Sequence, residues 1–152
     1  LPASVRQSDP GRFVFTSNVL VHRAIFEEVP FDESFTGWGW EDVDWGWRTA
    51  ARFPVRHIDN TATHLGLEEA RVLIRKFTRS GENFARLADK HEATRATPLY
   101  RWAERSRGWP LRTSVGFACR WIAADPLGIL PVRIRMFGLK LARAVAYGGH
   151  LT

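Results

Sequence analysis

The sequence lacks the features that mark several protein classes. It has one cysteine, Cys119, which excludes a disulfide framework within the chain and fits a reducing compartment. No uninterrupted apolar stretch reaches the roughly 18 residues expected of a membrane-spanning helix, and no segment resembles a secretion signal. We therefore expect a cytoplasmic protein in which Cys119 is a small buried residue rather than a nucleophile.

Acidic residues are scarce in one part of the chain. Residues 1–94 hold 12 basic and 14 acidic side chains, whereas residues 95–152 hold 10 basic and 2 acidic ones. This asymmetry predicts two regions, the second of which faces something anionic. No nucleic-acid partner is expected, because the densest aromatic cluster lies in the acidic region and the positive charge in the other. Base stacking and phosphate contacts would therefore not coincide.

Tryptophan is abundant, and four of the seven tryptophans lie among acidic residues within residues 31–48, FDESFTGWGWEDVDWGWR. A tryptophan ring has a large apolar face and one N–H donor, so an exposed set forms a stacking surface. Sugars suit such a surface, since their C–H faces lie flat on rings while their hydroxyls bond carboxylates. Gly37 and Gly39 permit a tight loop. The segment therefore predicts a carbohydrate site.

A helix is expected to begin after Trp40, because apolar side chains recur at helical spacing through residues 43–50. Its first turn is acidic and holds Glu41, Asp42 and Asp44. Unpaired backbone N–H groups in a first turn favour negative charge. A structural interpretation is also open, in which these acids only stabilise the helix start and the later tryptophans only pack.

The run at residues 18–48, NVLVHRAIFEEVPFDESFTGWGWEDVDWGWR, resembles the acceptor-side half of GT-A glycosyltransferases. Both family-2-like enzymes and the galactosyltransferase C-terminal domain share the pattern, which covers about residues 12–91 and centres on GWGWED. The resemblance implies an α/β class, with a partial GT-A fold of few short strands and a tryptophan-rich helix in residues 1–94. A mainly helical extension would follow in residues 95–152. Trp45 departs from the pattern, which usually has an aliphatic residue there.

The resemblance also implies residue roles. Asp42 corresponds to the general base that deprotonates the acceptor hydroxyl, and Glu41 to the residue that holds the acceptor sugar. Inverting transfer is a single displacement at the anomeric carbon, so a carboxylate must lie within hydrogen-bond reach of the attacking hydroxyl. Further substrate contacts are expected from Trp38, Trp40, Gly39, Asp44 and Asn18. Asn18 is explained equally well as a turn residue between two strands.

The implied donor is a nucleotide sugar, and the implied acceptor is a glycan or a lipid-linked sugar. Because no nucleotide-binding βαβ pattern and no glycine-rich phosphate loop is present, we expect this chain to be the C-terminal portion of a longer protein that holds the donor-binding half. Residues 42–44 have the D-x-D spacing that such enzymes use for metal and diphosphate. They begin a helix rather than end a strand, so we interpret them as an acceptor-side pair.

His64 lies where the family often has a histidine that completes the metal shell, which implies a divalent cofactor, Mn²⁺ or Mg²⁺. Imidazole is a competent ligand for Mn²⁺-like ions, although such ions also accept shells made of oxygen alone. A histidine at a strand exit is otherwise a hydrogen-bonding surface residue. Both interpretations remain open.

The rest of the chain alternates between short strand patterns and helical ones. Strands are expected at residues 12–16, 18–22 and 54–59, which are rich in β-branched and aromatic residues. Helices are expected at residues 23–29, 68–79, 82–91, 99–107, 111–124 and 131–147.

The last of these segments is amphipathic. Its apolar face carries Ile134, Phe137, Leu141 and Val145, and basic residues lie on the other side. This pattern predicts a helix that makes peripheral contact with anionic lipid at the inner membrane face. A helix that packs against the missing donor-binding half of the protein explains the pattern equally well.

Two functions of different classes therefore follow. The first is a glycosyltransferase in which Asp42 acts as the base. The second is a carbohydrate-binding or assembly module without catalysis.

Overall fold

The computed structural model describes residues 1–63, 65–66 and 68–152. In this part of the chain the regular elements are helical. They are α1 (Ala3–Arg6), α2 (Arg23–Glu28), α3 (Glu41–Ala50), α4 (Ala70–Arg79), α5 (Gly81–Lys90), α6 (Glu92–Arg95), α7 (Pro98–Ser106), α8 (Arg112–Ala124) and α9 (Val132–Tyr147), with 3₁₀ turns at Pro10–Phe13 and Thr16–Asn18. No helix in the described part combines the length and hydropathy that a bilayer crossing requires.

The predicted α/β class was wrong. Helices take up 59% of the residues and no strand occurs among the described ones, so a partial GT-A fold with strands is excluded for this structure. The helix predictions fared better: all six expected helices are present, with ends that differ from the predicted ones by up to two residues. The helix expected after Trp40 begins at Glu41, and its first turn is acidic as predicted.

The expected strands do not form, although some of their residues have extended backbone. What is missing is a neighbouring strand to pair with. Phe15 (φ −127°, ψ 117°) and Val19 (φ −136°, ψ 142°) have the dihedral angles of a strand. Side chains, however, satisfy the backbone that a neighbouring strand would pair. The amide of Gln7 donates to the Val55 carbonyl and accepts from the His57 N–H, both at 2.9 Å. Local β propensity therefore produced extended loops instead of a sheet.

Residues 1–66 form one compact unit, whose core is built around Trp45. The Trp45 ring stacks on Phe26 and Phe31, with centroid separations of 5.0 and 5.1 Å. Its Nε1–H donates to the Val29 carbonyl at 2.7 Å, so the one polar atom of this buried ring is satisfied. Burial of such a side chain contributes on the order of 3 kcal/mol to folding. Trp45 therefore fixes α3 on α2 and the loop that follows it.

Two glycines let the 3₁₀ turn at Pro10–Phe13 approach α3. A Cβ placed on Gly46 would lie 2.1 Å from the Gly11 carbonyl oxygen, and one on Gly11 would lie 2.7 Å from the Gly46 oxygen. The two backbones therefore meet at a distance that no side chain allows. This contact orients the far side of α3, while Glu41 and Asp42 in its first turn stay partly exposed.

Residues 67–152 form the second compact unit, a helical assembly in which α9 packs against α4, α5, α7 and α8. Tyr147 is fully buried near the end of α9, stacked on Phe84 at 4.7 Å, and its hydroxyl lies 2.6 Å from Ser80 Oγ. Along the chain, the first unit ends at Gly66. The division predicted from the sequence, into residues 1–94 and 95–152, is based on charge and on the expected functions of the two regions. It stays a prediction.

Candidate functional site

The GWGW loop enters α3 through a backbone conformation that is rare for a tryptophan. Gly37 (φ 81°), Gly39 (φ 92°) and Trp40 (φ 82°) all have positive φ. Glycine adopts this region freely, but a bulky side chain in it costs of order 1–3 kcal/mol. Trp40 is the N-cap of α3, and its carbonyl accepts the Asp44 N–H at 3.0 Å. The strained turn therefore places a half-buried tryptophan directly before the acidic first turn.

The two aspartates of that turn occupy different environments. Asp44 is fully buried, and its Oδ2 lies 2.8 Å from Arg48 Nε, one helical turn further on. Arg48 also donates through Nη1 to the Pro30 carbonyl at 2.8 Å. This geometry makes Asp44 a structural residue that ties α3 to the preceding loop. It does not favour the predicted substrate contact for Asp44.

Asp42 lies on the outer side of the same turn and is half-buried. Its Oδ2 accepts one hydrogen bond, from the Thr16 N–H at 3.3 Å. Its other oxygen, Oδ1, makes no hydrogen bond with the residues that the structure describes, and no basic side chain among them pairs with Asp42. A carboxylate accepts several hydrogen bonds, so Asp42 keeps acceptor capacity for a ligand hydroxyl.

Glu41 adds a second carboxylate to the helix start. It is half-buried, and its Oε2 is shielded from solvent without a hydrogen-bond donor in the described part of the chain. Leaving a buried polar atom unpaired costs about 1–3 kcal/mol. A hydroxyl donor placed at Oε2 would remove that cost. Glu41 therefore holds an unsatisfied acceptor one residue from Asp42, which a ligand can reach only if the side chain moves.

The four tryptophans of the segment divide into two pairs. Trp45 is the core residue described above, and Trp47 donates through Nε1 to Asp9 Oδ1 at 3.0 Å. These two hold the fold, as the structural interpretation of the sequence expected. Trp38 is 42% exposed, while Trp40 and Gly39 are half-buried. The accessible aromatic surface therefore belongs to Trp38 and Trp40, the pair predicted to contact substrate.

Asn18 is not brought to the carboxylates by any described contact. The side chains of Asn18 and Asn60 bond each other, with Asn60 Nδ2 donating to Asn18 Oδ1 at 3.1 Å. His64, the predicted metal ligand, lies outside the described residues. Within those residues no three histidine, cysteine, aspartate or glutamate side chains lie close enough together to hold a metal ion. The expected Mn²⁺ or Mg²⁺ cofactor therefore stays a prediction.

A cavity of the first unit is separate from the candidate site. It has a volume of about 600 Å³ and is lined by Asn18, by extended residues around Val19 and Leu20, and by the inner face of α3. Neither Asp42, Glu41, Trp38 nor Trp40 lines it. The candidate site, here called the shelf, thus lies at the start of α3 and outside this cavity.

The contacts of two residues of the site, Arg48 and Thr16, were not predicted from the sequence. Arg48 lies four positions after Asp44, a spacing that brings opposite charges together on a helix, so the ion pair was open to prediction. Thr16 was assigned to a strand, and no local signal indicates that its amide would bond Asp42 across 26 positions.

No family model, no curated protein and no solved structure matches the chain. The resemblance to glycosyltransferases therefore depends on the sequence motif alone.

Proposed function

We propose that the start of α3 binds the acceptor sugar of a glycosyl-transfer reaction, with Asp42 as the general base. The observation that carries the proposal is the contrast between the two aspartates. Asp44 is buried and paired with Arg48, whereas Asp42 is partly exposed and accepts a single hydrogen bond, from a backbone amide. Two acids two residues apart thus have different tasks, and Asp42 is the one that a ligand can reach.

The proposed reaction is a displacement with inversion. The acceptor hydroxyl oxygen attacks the anomeric carbon of a nucleotide sugar, the bond from that carbon to the diphosphate oxygen breaks, and its electron pair leaves with the nucleoside diphosphate. The hydroxyl proton moves to Asp42, which must be ionised beforehand to act as a base. A general base in hydrogen-bond contact contributes roughly 10²–10⁴-fold to such a rate. Contacts to the donor are assigned to no described residue of this chain, and no step is assigned to a metal.

The neighbouring groups support sugar binding at this place. Glu41 is a second, half-buried carboxylate directly before Asp42 in the first turn of α3. The exposed Trp38 ring, with the half-buried Trp40 beside it in sequence, offers an apolar face for the C–H side. The glycosyltransferase resemblance points to the same four residues. The proposal concerns the activity of this segment and carries over none of the family's sheet.

A carbohydrate-binding module without catalysis is the second candidate. It is favoured by the same shelf, because an exposed tryptophan and an unpaired carboxylate oxygen are features of binding, whereas catalysis also needs donor contacts. In this alternative Asp42 is a hydrogen-bond acceptor and its basicity has no role.

The test compares Asp42→Asn with Asp59→Asn, which removes an exposed aspartate that accepts the Ala3 N–H at 2.8 Å. Sugar binding is followed by tryptophan fluorescence, and transfer is followed in the full-length protein by product formation from a panel of nucleotide sugars and glycan acceptors. We expect Asp42→Asn to lower transfer by at least roughly 10²-fold while sugar affinity changes little, since asparagine keeps an acceptor but not a base. Asp59→Asn should affect neither measurement.

The two candidates give different results. Transfer by the wild-type chain that Asp42→Asn leaves intact contradicts the role of Asp42. Sugar binding that Trp38→Ala weakens, without transfer from any donor in the panel by the full-length protein, supports the binding module instead.

A further inference from the structure

The antiparallel helices α8 and α9 form a hairpin whose connected end is strongly apolar at its surface. Gly138 of α9 packs against the α8 backbone around Cys119 and Ala123, and Gly116 of α8 packs against Val145. The second half of α9 is buried, including Ala142, Ala144, Val145 and Tyr147. Residues 117–137, here called the hairpin tip, have a different surface. The tip carries eight large apolar side chains that are 46–71% exposed: Phe117, Trp121, Leu127, Ile129, Val132, Ile134, Met136 and Phe137.

The turn within the tip is held by hydrogen bonds to Asp125. Asp125 closes α8 in the left-handed region (φ 46°), and its two carboxylate oxygens accept the N–H groups of Ile129 and Leu130 at 3.1 and 3.2 Å. The Gly128 N–H donates to the Asp125 carbonyl at 3.0 Å. Leu127 and Ile129 are therefore exposed on a hydrogen-bonded turn. The buried Asp125 side chain accepts the hydrogen bonds that hold this turn.

The charges of the tip have one accessible sign. Its charged residues are Arg120, Arg133 and Arg135 together with Asp125. The Asp125 side chain is 4% exposed, used up by the turn, and Arg135 lies 3.9 Å from it while remaining 37% exposed. Arg133 is exposed as well. The accessible surface of the tip is thus apolar and cationic.

We propose that the hairpin tip inserts into the interfacial region of an anionic lipid membrane. Apolar side chains among arginines suit the boundary between headgroups and acyl chains. There the apolar side chains leave water, and the arginines contact lipid phosphates. Trp121 has the amphipathic ring that favours this depth. A second copy of the chain is disfavoured as the occupant, because it would bring like charges together. The inference differs from the sequence expectation, since residues of α8 and the turn take part and Leu141 and Val145 of α9 do not.

The experiment is vesicle flotation of the full chain, without sugar or nucleotide, so its outcome is independent of the proposed transfer. We expect binding to vesicles of equal parts phosphatidylserine and phosphatidylcholine that weakens as salt is raised, and far weaker binding to phosphatidylcholine alone. The double variant Trp121→Ser/Phe137→Ser should lower partitioning on the order of tenfold or more. The control Trp102→Ser/Phe15→Ser removes a tryptophan and a phenylalanine that are 45% and 54% exposed outside the tip, and it should bind as wild type.

A charge pair completes the design. Arg133→Glu should weaken binding to the anionic vesicles by roughly fivefold or more. Arg101→Glu makes the same change in net charge from an exposed position on α7 and should have a smaller effect. Equal urea midpoints for all variants would show that the comparison is between folded proteins.

Three results overturn the proposal: no flotation with anionic vesicles, equal binding to neutral vesicles, or binding that Trp121→Ser/Phe137→Ser leaves unchanged. If vesicles do not bind and the same double variant converts a dimer to a monomer in sedimentation velocity, the tip is an interface between copies. If vesicles do not bind and the chain remains monomeric, the tip is not a membrane-binding surface.

Discussion

Asp44 and Arg48 lie one turn apart on α3 and form an ion pair in which Arg48 Nε and Asp44 Oδ2 are 2.8 Å apart. The aspartate side chain is 1% exposed and the arginine side chain 30% exposed. Through its second donor contact, to Pro30, Arg48 links the start of α3 to the end of the α2 segment. The pair therefore holds in place the turn that carries Asp42.

We predict that Asp44→Asn destabilises the protein by about 3 kcal/mol, because it leaves the partly buried Arg48 guanidinium without its counter-charge. Urea unfolding measures the change. Asp42→Asn removes the same charge two residues earlier, where no ion pair forms with a described residue, and should cost less than about 1 kcal/mol. Equal losses from the two substitutions would mean that the ion pair does not stabilise α3.

Gly46→Ala is expected to destabilise by about 3 kcal/mol or more, since the new Cβ would lie 2.1 Å from the Gly11 carbonyl oxygen and a backbone must move. Gly108→Ala is the matched control, because no atom lies within 4 Å of its Cβ position. Thermal unfolding of the two variants checks the difference. A Gly46→Ala protein as stable as Gly108→Ala would show that α3 and the 3₁₀ turn are not in close contact.

Burial raises the pKa of the Cys119 thiol above its ordinary value of 9.0, and the nearby Arg120 opposes this only in part. The folded state then binds the thiol proton more tightly than the unfolded state. The resulting contribution to stability is complete below pH 9.0 and is lost as the pH rises through the folded pKa.

We therefore predict that wild-type stability falls more between neutral pH and pH 10 than that of Cys119→Ala, by roughly 1 kcal/mol or less. Urea unfolding at both pH values provides the measurement. Alkylation of the folded protein at neutral pH should be slow and should accelerate on unfolding, because the thiolate is the reactive form. Rapid alkylation of the native protein would contradict the burial of this side chain.

The helices were predictable because their signals are local. Trp40 precedes an acidic turn and a periodic apolar face, and α9 follows Pro131, so each end has a chemical marker. The absent sheet was not predictable from the same signals. Val19 has the backbone dihedral angles of a strand, but a strand also needs a neighbouring strand to pair with. Along residues 55–57, the Gln7 side chain makes hydrogen bonds that such a neighbour would make.

The candidate site was predictable in part for the same reason. The proposed site residues are close in sequence, so one loop and one helix turn contain all four of them: Trp38, Trp40, Glu41 and Asp42. The burial of Asp44 follows from a partner four residues away. The contact between Asp42 and the Thr16 amide depends on how the 3₁₀ turn packs, which no local pattern encodes.

Trp40 has a backbone conformation that favours glycine, so a tryptophan at this position lowers the stability of the protein. A role of the ring in binding would explain why a tryptophan is present there. We predict that Trp40→Gly is more stable than Trp40→Ala by about 1 kcal/mol, because alanine at φ 82° keeps the strain and glycine does not. Both variants lose the ring, so both should lose sugar binding by the same factor, measured by calorimetric titration. Comparing the two separates strain from recognition. If Trp40→Gly bound sugar as wild type does, the ring would be a packing residue and the aromatic shelf would consist of Trp38 alone.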